Sequence, residues 1–287
     1  MLKTTGEWLS WGKQALRLID PDGMEAMVLM AHCTGRSRAS LYARDDMVLE
    51  AEVAGQYVAD VEARAEGKPV AYITGSREFW SLEFEVSESV LIPRHETELV
   101  VERALVHLAN QARGRAQVVD LGTGSGVIAL AVASECESCE VVAVDRSRSA
   151  IRVARRNQKR LGLSNVRFIQ GSWFEAFDED ETRFDLVLSN PPYIDARDDH
   201  LQRGDLRFEP VSALVAADNG LADIRAIITQ GKQYLGAGGW MVLEHGHTQG
   251  PVIQDCFLKS GYESIITHRD LAGNSRVTEA RRPAISV

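Results

Sequence analysis

The stretch "VVDLGTGSGVIAL", Val118 to Leu130, decides how the rest of the chain is read. Val118, Val119 and Leu121 are strand formers, and the apolar run that resumes at Val127 has the composition of a buried helix. Between them Gly122, Gly124 and Gly126 allow a tight turn and a close backbone approach to a ligand at a helix amino terminus. A strand feeding a helix through such a turn opens a parallel α/β sheet, whose ligands bind at the carboxyl ends of the strands.

Downstream the pattern repeats. "EVVAVD" leads into the helical "SAIRVARRNQKRLG", "NVRFIQG" into "FDLVLSNPPY", and "LADIRAIITQGKQYL" into the strand "WMVLEHG". A further helix near "PVIQDCFLKSG" precedes the closing pair "YESIITHRD" and "SRVTEARR". The expected fold is therefore α/β, a doubly wound, mostly parallel sheet of seven strands whose closing pair forms an antiparallel edge.

Upstream of Gly75 the periodicity is helical. Trp8, Trp11, Ala15, Leu18 and Ile19 recur at three-to-four spacing, and "MEAMVLMAHCTG" and "LEAEVAGQYVADVEARAEG" each end in a Gly suited to a left-handed cap. "GSREFWSLEFEVSESVLIP" then alternates apolar and charged residues as two short strands of a hairpin do. The expected organisation is a helical bundle over residues 1–75, a β-hairpin linker over 76–93 and the α/β domain over 94–287.

With 287 residues, 45% hydrophobic and 25% charged, the composition is globular rather than disordered. A net charge of −9 gives no broad basic footprint for duplex nucleic acid, and the acidic run Asp178 to Thr182 reads as a solvated loop. The amino terminus lacks a signal-peptide core and no apolar run is long enough to span a bilayer, so a cytoplasmic protein without membrane contact is expected. In that setting Cys33, Cys136, Cys139 and Cys256 are expected as free thiols, and the Cys136–Cys139 pair lacks the further ligands of a zinc site. His245 and His247 alternate on a strand end without carboxylate partners, so no metal is expected there.

Three features point to a ligand. The turn offers Gly122, Thr123, Gly124, Ser125 and Gly126; Asp145 ends the second strand about twenty residues on, where a carboxylate can accept from both ribose hydroxyls of a nucleoside. Asp120, just before the turn, is placed to brace the loop or meet an amino group. After the fourth strand comes Asn190-Pro191-Pro192-Tyr193, a corner with little backbone freedom. Together these favour S-adenosylmethionine over a nicotinamide dinucleotide, whose turn carries its third Gly one residue later.

The corner suits attack by an amide nitrogen, a poor nucleophile because its lone pair is delocalised. The Asn190 side-chain oxygen and the Pro191 carbonyl can accept its two hydrogens and orient it, with Pro192 and Tyr193 completing the slot.

The segments "VVDLGTGSGVIAL", "VDRS", "LSNPPYI", "RFEP", "GKPVAYITGSREFWSLEFEV" and "LIPRHETE" resemble the HemK-type release factor glutamine methyltransferases, nearly over the full chain. That resemblance implies methyl transfer from S-adenosylmethionine to the Gln side chain of the Gly-Gly-Gln loop in peptide chain release factors, during translation termination. It implies substrate docking by the helical domain and an adenine contact for Trp173. It also suggests that Arg207 and Glu209 of "RFEP" pair near the site. His95 is a departure, since family members commonly carry a second Pro there. Two alternatives share these residues: a glutamine methyltransferase of a ribosomal protein and an adenine-amine methyltransferase of nucleic acid.

Overall fold

Apolar residues dominate the central strands because both sheet faces are covered by helices. The computed structural model, which describes residues 3–110, 115–179 and 183–284, divides into two compact units. The first comprises residues 1–76 and 202–208, and the second residues 77–201 and 209–287.

The first unit contains α1 (Thr5–Leu16), α2 (Met24–Thr34), α3 (Arg38–Ala43), α4 (Ala51–Ala65) and α5 (Val70–Thr74). Thr4 and Glu7 form a reciprocal capping box on α1. Asp20 caps α2 by accepting from the amides of Met24, Glu25 and Ala26. Leu9, Leu16, Met27, Met30, Tyr57 and Val61 make its core. α1 stops at Leu16, so Leu18 and Ile19, which the periodicity assigns to its apolar face, lie in the following turn at 89% and 44% exposure. The Arg64 guanidinium ties the unit together, meeting Glu25 at 2.7 Å and Asp205 at 3.0 Å.

The hairpin strands β1 (Ser76–Phe79) and β2 (Leu82–Glu85) pair with each other. A 3-10 turn, His95–Thr97, leads into α6 (Glu98–Ala109). The doubly wound part runs β3 (Gln117–Leu121), α7 (Val127–Glu135), β4 (Glu140–Asp145), α8 (Arg148–Leu161), β5 (Val166–Gln170) and β6 (Phe184–Ser189). Short elements follow: β7 (Ile194–Asp195), α9 (Val211–Leu214), β8 (Val215–Ala216) and α10 (Ala217–Gly220). The chain closes with α11 (Ala222–Tyr234), β9 (Leu235–Glu244), α12 (Gly250–Lys259), β10 (Glu263–Arg269) and β11 (Ser275–Arg281). Residues 180–182 of the acidic run lie outside the described residues.

The seven-stranded sheet has the order β10-β11-β9-β6-β3-β4-β5, with β11 antiparallel to both neighbours and the other pairs parallel. Strand alternation sorts side chains between two cores: Val118, Leu186 and Leu188 face α6 and α7, whereas Val119, Val187 and Met241 face α11 and α12. α7 is buried on every side from Val127 to Ala133, which explains its uniformly apolar sequence. From β3 the chain builds outward through β4 and β5, then returns to place β6 on the other side of β3. That reversal opens a crevice at the carboxyl ends of β3, β4 and β6.

One expectation is corrected. Cys136 and Cys139 are joined by a disulfide, because the turn after α7 brings their Cα atoms to 5.5 Å, inside the span such a bond requires. Cys33 and Cys256 are free.

Candidate active site

The crevice encloses about 940 Å³ of empty space, solvent mouth included, a size typical of small-molecule sites. Its walls are the segments that leave β3, β4, β5 and β6, together with the stretch from Ser89 to Thr97 ahead of α6 and residues 210–213. Gly122, Thr123, Gly124 and Ser125 line it, as do Asp145, Trp173, Asn190 and Pro192.

The glycine turn is held from below. Asp120 Oδ2 accepts from Thr123 Oγ1 at 2.6 Å and from the Ala129 amide at 3.2 Å, so this carboxylate splints the turn to the first turn of α7. Asn157 of α8 donates to the Ser125 carbonyl at 2.9 Å and to the Glu85 carbonyl at 3.0 Å. Gly126 has φ +88° at the start of α7, and a Cβ there would meet Leu130 at 3.0 Å and Ala154 at 3.2 Å. Only glycine meets both demands.

Asp145 receives the Gly124 amide at 2.9 Å on one oxygen and the Ser147 amide at 2.7 Å on the other. Burial raises its pKa above the ordinary carboxylate value, against those two bonds and Arg146. Trp173 adopts φ +46°, a costly backbone for a bulky residue, and its ring lies over Gly122, where a Cβ would come within 3.3 Å. Its side chain bonds the Asp223 carboxylate.

On the far wall, Asn190 Nδ2 donates to Thr97 Oγ1 at 3.0 Å, and Thr97 Oγ1 donates to Glu244 Oε2 at 2.6 Å. The Tyr193 hydroxyl donates to the other oxygen of Glu244 at 3.2 Å, and the Tyr193 carbonyl accepts from Gln249 at 3.0 Å. The corner is thus pinned at both ends. Among the described residues nothing donates to Asn190 Oδ1 or to the Pro191 carbonyl. Asn190 and Pro192 line the crevice, Pro191 is a buried residue between them, and Tyr193 turns its hydroxyl toward Glu244.

The "RFEP" segment departs from expectation. Arg207 donates to the Glu66 carbonyl at 2.7 Å, while Glu209 accepts from the Arg94 guanidinium and from the Ile92 amide at 3.1 Å. The buried Glu209 carboxylate draws the guanidinium of a crevice-lining arginine, in place of the expected pairing with Arg207. His245 is buried, bonding Thr278 at 2.8 Å, and His247 is exposed. Thr97, Glu244 and Asn157 carry no motif of their own. Of these, the sequence signals only the first two indirectly, through "LIPRHETE" and "EHG".

A family model described as a methyltransferase domain matches residues 113–269, and one described as the PrmC N-terminal domain matches residues 7–75. The chain is 44% identical over 274 residues to the release factor glutamine methyltransferase of Escherichia coli, covering 96% of this chain and 97% of that one. The chain belongs to the release factor glutamine methyltransferase family. The corresponding Salmonella typhimurium methyltransferase is 46% identical over 275 residues, with 96% of this chain and 97% of that one covered. Among solved structures, a methyltransferase from Pyrococcus furiosus shares the fold, with a TM-score of 0.52 at 21% identity over 79% of this chain and 98% of that one. So does the T. thermophilus 16S rRNA methyltransferase solved with AdoMet and guanosine, with a TM-score of 0.51 at 19% identity over 72% of this chain and 49% of that one. Among the described residues no helix of this methyltransferase is long and apolar enough to cross a membrane.

Proposed function

We propose that this chain transfers a methyl group from S-adenosylmethionine to the side-chain amide nitrogen of the Gln in the Gly-Gly-Gln loop of peptide chain release factors. The observation that carries it is the placement of Asn190, with an uncommitted carboxamide oxygen, in the same crevice as the glycine turn and Asp145.

The residues present fit the cofactor. A buried Asp120 Oδ1 without a donor lies under the turn, the Gly122 position leaves open the space beneath Trp173, and Asp145 lines the crevice with a carboxylate. Gly122, Thr123, Gly124, Ser125 and Gly126 would form the cradle, Asp145 would accept from the ribose, and Trp173 would lie against the adenine. When bound, S-adenosylmethionine supplies a sulfonium-activated methyl carbon open to in-line attack.

The chain's own residues act on the incoming amide. Asn190 Oδ1 and the Pro191 carbonyl accept its two N–H groups, which turns the nitrogen lone pair away from them and disfavours the flat conjugated form. Two prolines hold these acceptors still, so little reorganisation remains at the moment of reaction. Holding reacting atoms about 3 to 3.5 Å apart in line supplies several kcal/mol of barrier lowering, and no strong base is needed because the alkylated amide nitrogen is strongly acidic and gives its surplus proton to water.

We assign recognition of the release factor to the helical segment, residues 1–75, and the setting to the cytoplasm, where a release-factor substrate acts. A protein partner rather than nucleic acid or membrane suits the net charge of −9. The test is mass spectrometry of a release factor after incubation with enzyme and cofactor. One added methyl group on the Gly-Gly-Gln peptide is expected, and an unmodified peptide refutes the assignment.

A further inference from the structure

The hydrogen-bond order at the corner has a direction. Thr97 Oγ1 carries one hydrogen, and at 2.6 Å that hydrogen belongs to Glu244 Oε2, since an ionised carboxylate only accepts. Toward Asn190, then, Thr97 offers only a lone pair. Asn190 must present its NH2 end to Thr97, as it does at 3.0 Å, and its carbonyl end faces away from Thr97. The same carboxylate accepts the Tyr193 hydroxyl on its other oxygen. Both Thr97 and Glu244 are buried, at 2% and 1% exposure, so water does not compete for these bonds.

We propose that Glu244, acting through Thr97, is the positioning residue that sets which end of the Asn190 carboxamide is offered to the substrate nitrogen. Protonated, Glu244 becomes a donor; Thr97 is then released to donate to Asn190 Oδ1, and the carboxamide turns its NH2 end outward. An NH2 end facing a substrate NH2 repels it. Glu244 is thus a switch on acceptor orientation that touches neither cofactor nor substrate. The inference rests on the methyl-transfer reading above and deepens it.

Burial pushes Glu244 up to about 7, against the bonds from Thr97 and Tyr193 and the charge of Arg276 on β11. Glu96, on the turn that carries Thr97, adds to the rise. Arg276, Tyr193 and Glu96 are the charged and titratable groups that act on it most strongly, with the buried His245 next to it in the chain. The carboxylate therefore changes state in the neutral range. kcat is expected to rise with pH through about 7 as the accepting form fills.

Two variants and one spectrum test the device. Thr97→Val keeps the shape and removes the hydroxyl; kcat should fall by roughly 10²-fold, the scale of a misplaced reacting group. Thr97→Ser, which keeps the hydroxyl, should restore turnover. Equal losses in Val and Ser, or wild-type kcat in Val, overturn the proposal. Independently of turnover, the side-chain NH2 signal of Asn190 is followed by NMR with isotope-labelled asparagine, assigned by its loss in Asn190→Asp. It should titrate near neutral pH in the wild type and be flat in Glu244→Gln. A flat wild-type signal, or a titration that survives Glu244→Gln, overturns the proposal whatever the substrate. Absence of transfer to a release factor, with the titration intact, instead removes the substrate assignment and leaves the device standing.

Discussion

Gly220 stands behind the corner and outside the crevice, so a methyl group added there probes geometry alone. Its φ is +81°, and a Cβ would come within 2.1 Å of the Tyr193 carbonyl oxygen and 2.7 Å of its carbon. Such contacts essentially never fall below 3.0 Å, so the Tyr193 backbone must retreat by about 0.9 Å in Gly220→Ala. The Gln249 bond to that carbonyl is crowded as well, at 3.1 Å from the new Cβ. Two prolines make residues 190–193 move as one piece, so the shift reaches the Asn190 and Pro191 acceptors. A displacement of about 1 Å costs roughly 10²-fold in an aligned displacement. Left-handed strain of about 1 to 2 kcal/mol and crowding of about 1 to 3 kcal/mol should also appear in urea unfolding. The assay is single-turnover methyl transfer to a release factor, beside calorimetry of cofactor binding. Turnover should fall about 10²-fold with the cofactor dissociation constant unchanged, since neither Gly220 nor Tyr193 lines the crevice. A folded variant with wild-type turnover refutes the link between corner geometry and rate.

Asn190→Ala should lower kcat by about 10²- to 10³-fold, the loss seen when one preorganised polar group is removed, while calorimetry finds cofactor binding intact; normal turnover removes Asn190 from the mechanism. Asp145→Ala deletes an acceptor of the Gly124 and Ser147 amides as well as the proposed ribose contact. Hydrogen bonds to charged groups are worth about 1.5 to 3 kcal/mol each, so cofactor affinity should weaken by at least about tenfold, and an unchanged constant contradicts the ribose role. Glu279 is buried among Arg103 at 3.0 Å, His107 at 3.0 Å and His268 at 3.2 Å. Burial pushes its pKa up, but the bonds from His107, His268 and Arg103 outweigh that and hold it well below the usual range. A folded-state pKa below the ordinary value of about 4.3 gives stabilisation that is present above that pH and lost as pH falls below it. Glu279→Gln should therefore cost about 3 to 5 kcal/mol at neutral pH and flatten the acid limb of the urea midpoint, whereas an unchanged midpoint counts against the cluster.

What the sequence discloses is local. The short apolar runs in "QVVDL" and "EVVAVD" reveal strands covered on both faces, and the glycines at 122, 124 and 126 reveal the turn because each adopts a positive φ that glycine takes without steric cost. The corner is legible for the same reason, since proline chemistry is written in the residue itself. The Thr97–Glu244 bond joins positions 147 apart and follows from strand order, which places β9 beside β6, so no periodicity encodes it. The Arg94–Glu209 pair spans 115 residues and is equally silent, which is why "RFEP" suggested a neighbouring partner instead. Residues 202–208 join the helical unit without any local signature. The Cys136–Cys139 bond depends on a turn geometry that compartment arguments do not reach.

The most direct measurement offers labelled S-adenosylmethionine and the enzyme an equal choice of purified release factor, ribosomal protein and nucleic acid, with a second release factor whose Gly-Gly-Gln glutamine is replaced. Label on the intact release factor alone, absent from the replaced one, is the predicted result. Label on nucleic acid or ribosomal protein, or label that survives the replacement, contradicts it.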